Sequence, residues 1–199
     1  MDYLKLITKD YMNRHPVKEI SAARFGYSLM LNPEIVDIVE EFIPKLKAEG
    51  MDVPSADGQI AEIEREEDTD RLLRMIRKSL APPARKRLIE KLVMREEETL
   101  PVIQELILRT FNSHAVECST QFFAQCRTNC SEWITQHYNE VREPYARCML
   151  CLVLGFRAGP DCIPFLMRAV ETFEKQYPEE TFDQGPILAL LEIRARFTA

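Results

Sequence analysis

The sequence predicts an all-α protein, and three observations carry that expectation. Apolar residues recur at helical spacing almost from end to end, with hardly any strand-like alternation. Only 6 of the 199 residues are glycine, so few tight β-turns can form. Proline, asparagine and Gly-Pro pairs punctuate the chain into segments of helix length with short connectors, which is the pattern of helical hairpins.

The elements follow in order. Asp2 to Asn13 places Leu4, Ile7, Tyr11 and Met12 on one side and ends at His15-Pro16. A short segment covers Ala22 to Leu31. Asn32-Pro33 then opens a helix, because Asn suits the cap and Pro the first turn. Its apolar residues Ile35, Ile38, Val39, Phe42, Ile43 and Leu46 keep one face. "EGMDVPSADGQ", Glu49 to Gln59, has linker composition. It divides the chain into an N-terminal helical segment (residues 1–49), a linker (50–59) and a helical repeat region (60–199).

Beyond the linker, Ile60 to Leu80 reads as one charged helix, or two joined near Asp68, closed by Ala81-Pro82-Pro83. Helices are expected over Ala84 to Arg95 and Glu97 to Phe111. Asn112-Ser113 caps another through about Cys126, and a break at Asn129 to Ser131 precedes Glu132 to Val141. Glu143-Pro144 opens a helix through Arg157. Its expected partner runs from Pro160 to Tyr177, after the turn Ala158 to Asp161. A last helix spans Ile187 to Phe197.

Composition narrows the function. Apolar residues make up 46% and charged residues 29%, ordinary for a globular chain. The net charge of −6 argues against a nucleic-acid-binding domain, which is usually basic. The longest apolar run, Cys148 to Phe156, falls far short of the roughly 20 residues of a membrane span. The acid-bearing N-terminus does not read as a secretory signal. The expectation is therefore a cytoplasmic protein with its six cysteines as thiols.

The charge is uneven. Between Arg71 and Lys91 stand eight basic residues (Arg71, Arg74, Arg77, Lys78, Arg85, Lys86, Arg87 and Lys91) and one acid, Glu90. The segment before them is acidic: Glu62, Glu64, Glu66, Glu67, Asp68 and Asp70. Arg71, Arg74 and Lys78 share a helix face, and Arg85, Lys86 and Arg87 start the next helix. Two readings stand. One is a solvated face balanced by the acidic segment, with Glu67–Arg71 and Asp70–Arg74 as i, i+4 pairs. The other is a docking patch for an acidic protein or a nucleic-acid backbone, formed by Arg71, Arg74, Lys78, Arg85, Lys86 and Arg87. Few aromatics interleave with these charges, so stacking on bases is not provided.

The cysteines invite a metal reading, since Cys126/Cys130 and Cys148/Cys151 have helical spacing. A redox pair would want its first Cys at a helix N-terminus, whereas Cys148 lies several residues in. Cys148-Met-Leu-Cys151 sits in an apolar helix, where free Cys acts as a small hydrophobe, so packing is the expectation and no cofactor is called for. Of His15, His114 and His137, only His114 stands one turn from a thiol, Cys118. No phosphate loop, His-Glu-x-x-His or calcium loop is present, and a small-molecule substrate is not indicated.

Short self-similarities recur. "LPVI" (Leu100 to Ile103) and "IPFL" (Ile163 to Leu166) lie 63 residues apart, or two units of about 31 with Trp133-Ile134 between them. "GPILALL" repeats the theme once more, and "IPKL" at Ile43 to Leu46 is a weaker copy. "REPYARCMLCLVLGFRAGPDCIPFLMRAV", Arg142 to Val170, resembles a HEAT-type repeat. It carries Arg142 at the start, Ala146, Leu154-Gly155 at the end of the first helix, the turn Gly159-Pro160-Asp161, and Ile163-Pro164-Phe165-Leu166. The resemblance is weaker over Ala84 to Val141, where the unit from Cys126 to Val141 lacks the Leu-Gly and Gly-Pro-Asp marks. It does not extend to residues 1–49. It implies a fold of the HEAT/armadillo class but no single activity, since such solenoids mostly bind other macromolecules. With the lack of a catalytic set, the expectation is a short α-solenoid of antiparallel helix pairs with an N-terminal helical subdomain or cap, acting as a module that binds another protein without catalysis. DNA glycosylases of this class are the enzymatic alternative. They need a basic concave face with aromatics, against which the acidic total and the single Trp133 argue. A metal-binding regulatory protein using the cysteines is the third alternative.

Overall fold

The computed structural model describes residues 2–15, 31, 41–42, 44–45, 47–50 and 55–198. Among them stand ten α-helices and no strand. They are α1 (Lys9–Arg14), α2 (Asp57–Arg65), α3 (Thr69–Met75), α4 (Pro82–Met94), α5 (Glu96–Arg109), α6 (Ser113–Gln125), α7 (Ser131–His137), α8 (Pro144–Arg157), α9 (Ile163–Gln176) and α10 (Gln184–Thr198). The all-α class expected from the sequence is the class observed. The segment expected over Ala22 to Leu31 and the helix after Asn32-Pro33 lie largely outside the described residues, as do Met51 to Pro54 of the linker. No helix among the described residues is long and apolar enough to cross a membrane.

Helix starts follow local chemistry. Asp68 accepts a hydrogen bond from the Arg71 amide at 2.9 Å and caps α3, so Ile60 to Leu80 forms two helices rather than one. Asn112 caps α6 through the Ala115 amide at 2.8 Å. Prolines occupy the first turns of α4, α8 and α9, where no amide donor is missed.

Three boundaries differ from the expectation. The last residues of the linker are helical, because Ser55 accepts from the Asp57 amide and the Gln59 side chain bridges the Ser79 carbonyl and the Ala81 amide. The stretch expected as one helix to Val141 is α7 followed by a 3-10 turn at Tyr138–Glu140, which carries Tyr138 into the interior. Helix α10 starts at Gln184, three residues before the expected Ile187, and buries Gly185 and Pro186 in its first turn.

Packing groups the chain into two units: Met1–Arg24 with Thr128–Ala199, and Phe25–Arg127. The boundary drawn from composition at 50–59 falls inside the second of these. In that unit α2, α3, α5 and α6 pack on α4 around a core that includes Ile63, Leu72, Ile76, Leu88, Leu92, Ile103, Phe122 and Phe123. The other unit is organised by α8, which is buried at Ala146 and from Cys148 through Gly155. The closest neighbour of α8 is α10, not α9, the partner expected from sequence. Glycine is the reason. A Cβ on Gly155 would come 2.7 Å from Ala189 Cα, and one on Gly185 would strike the Cys148 carbonyl, so the two backbones meet with no side chain between them. Arg196 closes the far end by donating to the Gly155 and Ala158 carbonyls at 2.6 and 3.1 Å. Helix α9 packs on α10.

Candidate interaction surface

The block Arg71 to Lys91 is where the sequence concentrates positive charge, and the fold gives most of it internal partners. Lys91 points its ammonium at the Ile63, Glu64 and Glu66 carbonyls (3.2, 2.8 and 2.8 Å) and at the Glu67 carboxylate (3.1 Å). It thereby satisfies carbonyls at the end of α2, where a cation also meets the negative end of the helix dipole. Arg95 holds the other Glu67 oxygen at 2.8 Å, and the Lys91 hydrogen bond and charge, with Arg95, lower the Glu67 pKa.

The six residues singled out from sequence fare differently. Arg85 meets Glu117 of α6 at 2.7 Å with both side chains largely shielded (11% and 16% exposed). Lys86 and Arg87 both reach Glu90, at 3.6 and 3.0 Å. Lys78 pairs with Glu62 at 2.9 Å, and Arg71 lies 3.7 Å from Glu66. Arg74 is exposed and has no ion pair among the described residues; Arg77, its neighbour one turn on, shares that state. The expected Glu67–Arg71 and Asp70–Arg74 pairs do not form. Glu67 precedes the cap of α3, so helical spacing does not apply to it, and it turns to Lys91 and Arg95 instead.

Arg74 and Arg77 border a groove of about 330 Å³ between α3 and α5. Its apolar wall is Leu73, Val102 and Leu106, with Val102 46% exposed. Asp70 and Glu105 complete the rim, and Glu105 is held by Arg109 at 2.6 Å. Phe111, 68% exposed, follows α5, and the next residue, Asn112, donates its side-chain amide to the Arg77 carbonyl. The groove thus sets a partly exposed apolar strip beside two cations. Sequence reasoning reached Arg74 but missed Val102, Leu106 and Phe111. The helical pattern marks them as apolar, and only the packing leaves them uncovered.

The thiols and histidines occupy other roles. All six cysteines are buried and none is in a disulfide. Burial pushes the Cys118 and Cys162 thiols up to about 12 and raises Cys151 as well, which favours the neutral thiol at these positions. His15 bonds Glu174 at 2.7 Å, and His137 bonds Glu140 at 2.9 Å. Among the described residues no group of three His, Cys, Asp or Glu side chains converges as metal ligands do. No protein family, curated protein or solved structure matches the chain.

Proposed function

We propose that the protein is a HEAT-like helical interaction module that works by binding another protein, with the α3–α5 groove as the contact surface. One observation carries this reading: Arg74 and Arg77, left unpaired in a block whose other cations are held, flank an apolar wall of exposed Val102 and half-buried Leu73 and Leu106. Apolar anchors give a contact its affinity, and unpaired rim charges steer an acidic partner toward it. The partner is therefore read as a protein with carboxylates beside apolar side chains.

The repeat reading draws support from alternate-helix packing, α2 on α4, α4 on α6 and α8 on α10, which stacked hairpins produce. Cys148 meets Gly185, Gly155 meets Ala189, and Ala158 meets Arg196, so α8 and α10 run in the same direction, as equivalent helices of successive repeats do. A cytoplasmic location belongs to the same reading and is supported by six free thiols.

The test compares the wild-type chain with Arg74→Glu/Arg77→Glu in capture from the native lysate followed by mass spectrometry. A partner retained by the wild type should fall at least tenfold with the variant, at unchanged helicity by circular dichroism. Equal capture by both would remove the groove as the docking surface.

A further inference from the structure

The unit containing Thr128–Ala199 carries a second concavity, apart from the α3–α5 groove and not dependent on the reading given for it. It is a cleft of about 440 Å³ between α7 with its 3-10 turn, α8 and α9, within the size range of small-molecule sites. Its apolar part is aromatic. The ring of Tyr138 meets Phe165 edge to face at 5.0 Å and 83°, and Ala169 and Phe173 extend this surface. Tyr138 and Phe173 are buried, and the Tyr138 hydroxyl accepts from the Cys151 thiol at 3.4 Å, so the phenol's polar end is already occupied.

The charged lining of the cleft has one sign. Arg147 and Arg168 border it, and no Asp or Glu does. Neither guanidinium has a carboxylate within 4.0 Å among the described residues, in a chain whose net charge is −6. Arg147 is fixed in place, since its Nε–H donates to the Val141 carbonyl at 2.6 Å. On α7 and its 3-10 turn, Glu140 bonds His137 at 2.9 Å and Glu132 accepts from the Gln136 amide at 3.0 Å. Thr135, Asn139 and Gln176 add neutral hydrogen-bonding groups around the opening.

An unneutralised pair of guanidiniums beside a low-dielectric aromatic wall concentrates positive potential where a ligand would sit. Guanidinium geometry matches the two oxygens of a carboxylate or phosphate, and ring faces and edges favour a flat apolar body. We propose that this cleft binds a small organic anion, a carboxylate or phosphate monoester carried on a flat apolar body. The oxyanion lies against Arg147 and Arg168, and the body lies on Tyr138, Phe165 and Phe173.

The test is an amide NMR titration of the full chain with phenyl phosphate, benzoate, inorganic phosphate and benzyl alcohol. Saturable shifts confined to Thr135, Asn139, Arg168, Thr172 and Gln176 are expected with phenyl phosphate or benzoate, and the tighter of the two assigns the head group. Inorganic phosphate and benzyl alcohol should each need at least tenfold higher concentration. Arg168→Glu, at an exposed position, should weaken the aryl anion at least tenfold with helicity unchanged, while Arg74→Glu/Arg77→Glu should leave it unaffected. No saturable shift with either aryl anion would overturn the proposal. So would equal binding by inorganic phosphate or benzyl alcohol, or an unaltered dissociation constant in Arg168→Glu.

Discussion

The basic block of residues 71–91 and the α7–α9 cleft treat positive charge in opposite ways. The block is dense in cations, yet Lys78, Arg85, Lys86, Arg87 and Lys91 are each held by a carboxylate or helix carbonyls. The cleft has only Arg147 and Arg168, but no acid shares its lining. A run of charge along a chain is therefore a poor guide to charge offered to a partner. What matters is whether the fold places counter-ions within reach, and 24 to 32 residues separate Lys91 from Glu67 and Arg85 from Glu117. The units differ in packing too: both bury branched aliphatic side chains, but among the described glycines only Gly155 and Gly185, both in the unit containing Thr128–Ala199, stand against a neighbouring helix with no room for a Cβ.

The packing contrast is the one to break first, because its effect is the largest. Gly185→Ala should cost about 3 kcal/mol in urea unfolding, since the added methyl strikes the Cys148 backbone, which cannot swing aside like a side chain. Gly58→Ala in α2 meets nothing within 4 Å and should be neutral or stabilising by up to about 1 kcal/mol. Equal losses at the two glycines would show that the close approach is not a constraint.

Charge partnering comes next. Arg85→Ala removes a guanidinium from Glu117 in a largely shielded site and should cost about 2 kcal/mol. Lys78→Ala breaks the exposed pair with Glu62 and should cost less than about 0.5 kcal/mol. If the two variants unfold at the same urea concentration, the shielded pair has no special standing.

The smallest effect is a pH dependence. The pKa of Glu67 is lower in the folded chain than in the unfolded one, so between the two values the unfolded chain binds the proton more readily. Its contribution is present above the ordinary carboxylate pKa of about 4.3 and is lost as pH falls through the depressed folded value. The stability gap between wild type and Glu67→Gln should be constant near neutrality and close in acid. A gap that persists at pH 2 would assign it to something other than charge.

Local features were readable from sequence. Asn112, Pro82-Pro83 and Pro144 mark helix starts because a cap or a fixed φ acts within one turn. Apolar spacing gave the buried face of α8 for the same reason. Long-range choices were not readable. Nothing near Cys148 says that Gly185 rather than α9 will lie against it, and helical spacing pairs Glu67 with Arg71 only if one helix runs through both. Of the candidate surfaces, the sequence held Arg74 but neither its apolar neighbours nor the α7–α9 cleft. Both depend on which side chains tertiary contacts leave uncovered.

The sheltered cysteines have a consequence for watching this molecule in motion. Cys118 and Cys126 belong to one unit, and Cys130, Cys148, Cys151 and Cys162 to the other. An alkylating reagent reaches such sulfurs only during an opening excursion. The order in which the six sites accept label is then a chronometer, reporting how often each half of the chain lets water in, without an added dye or an engineered tag.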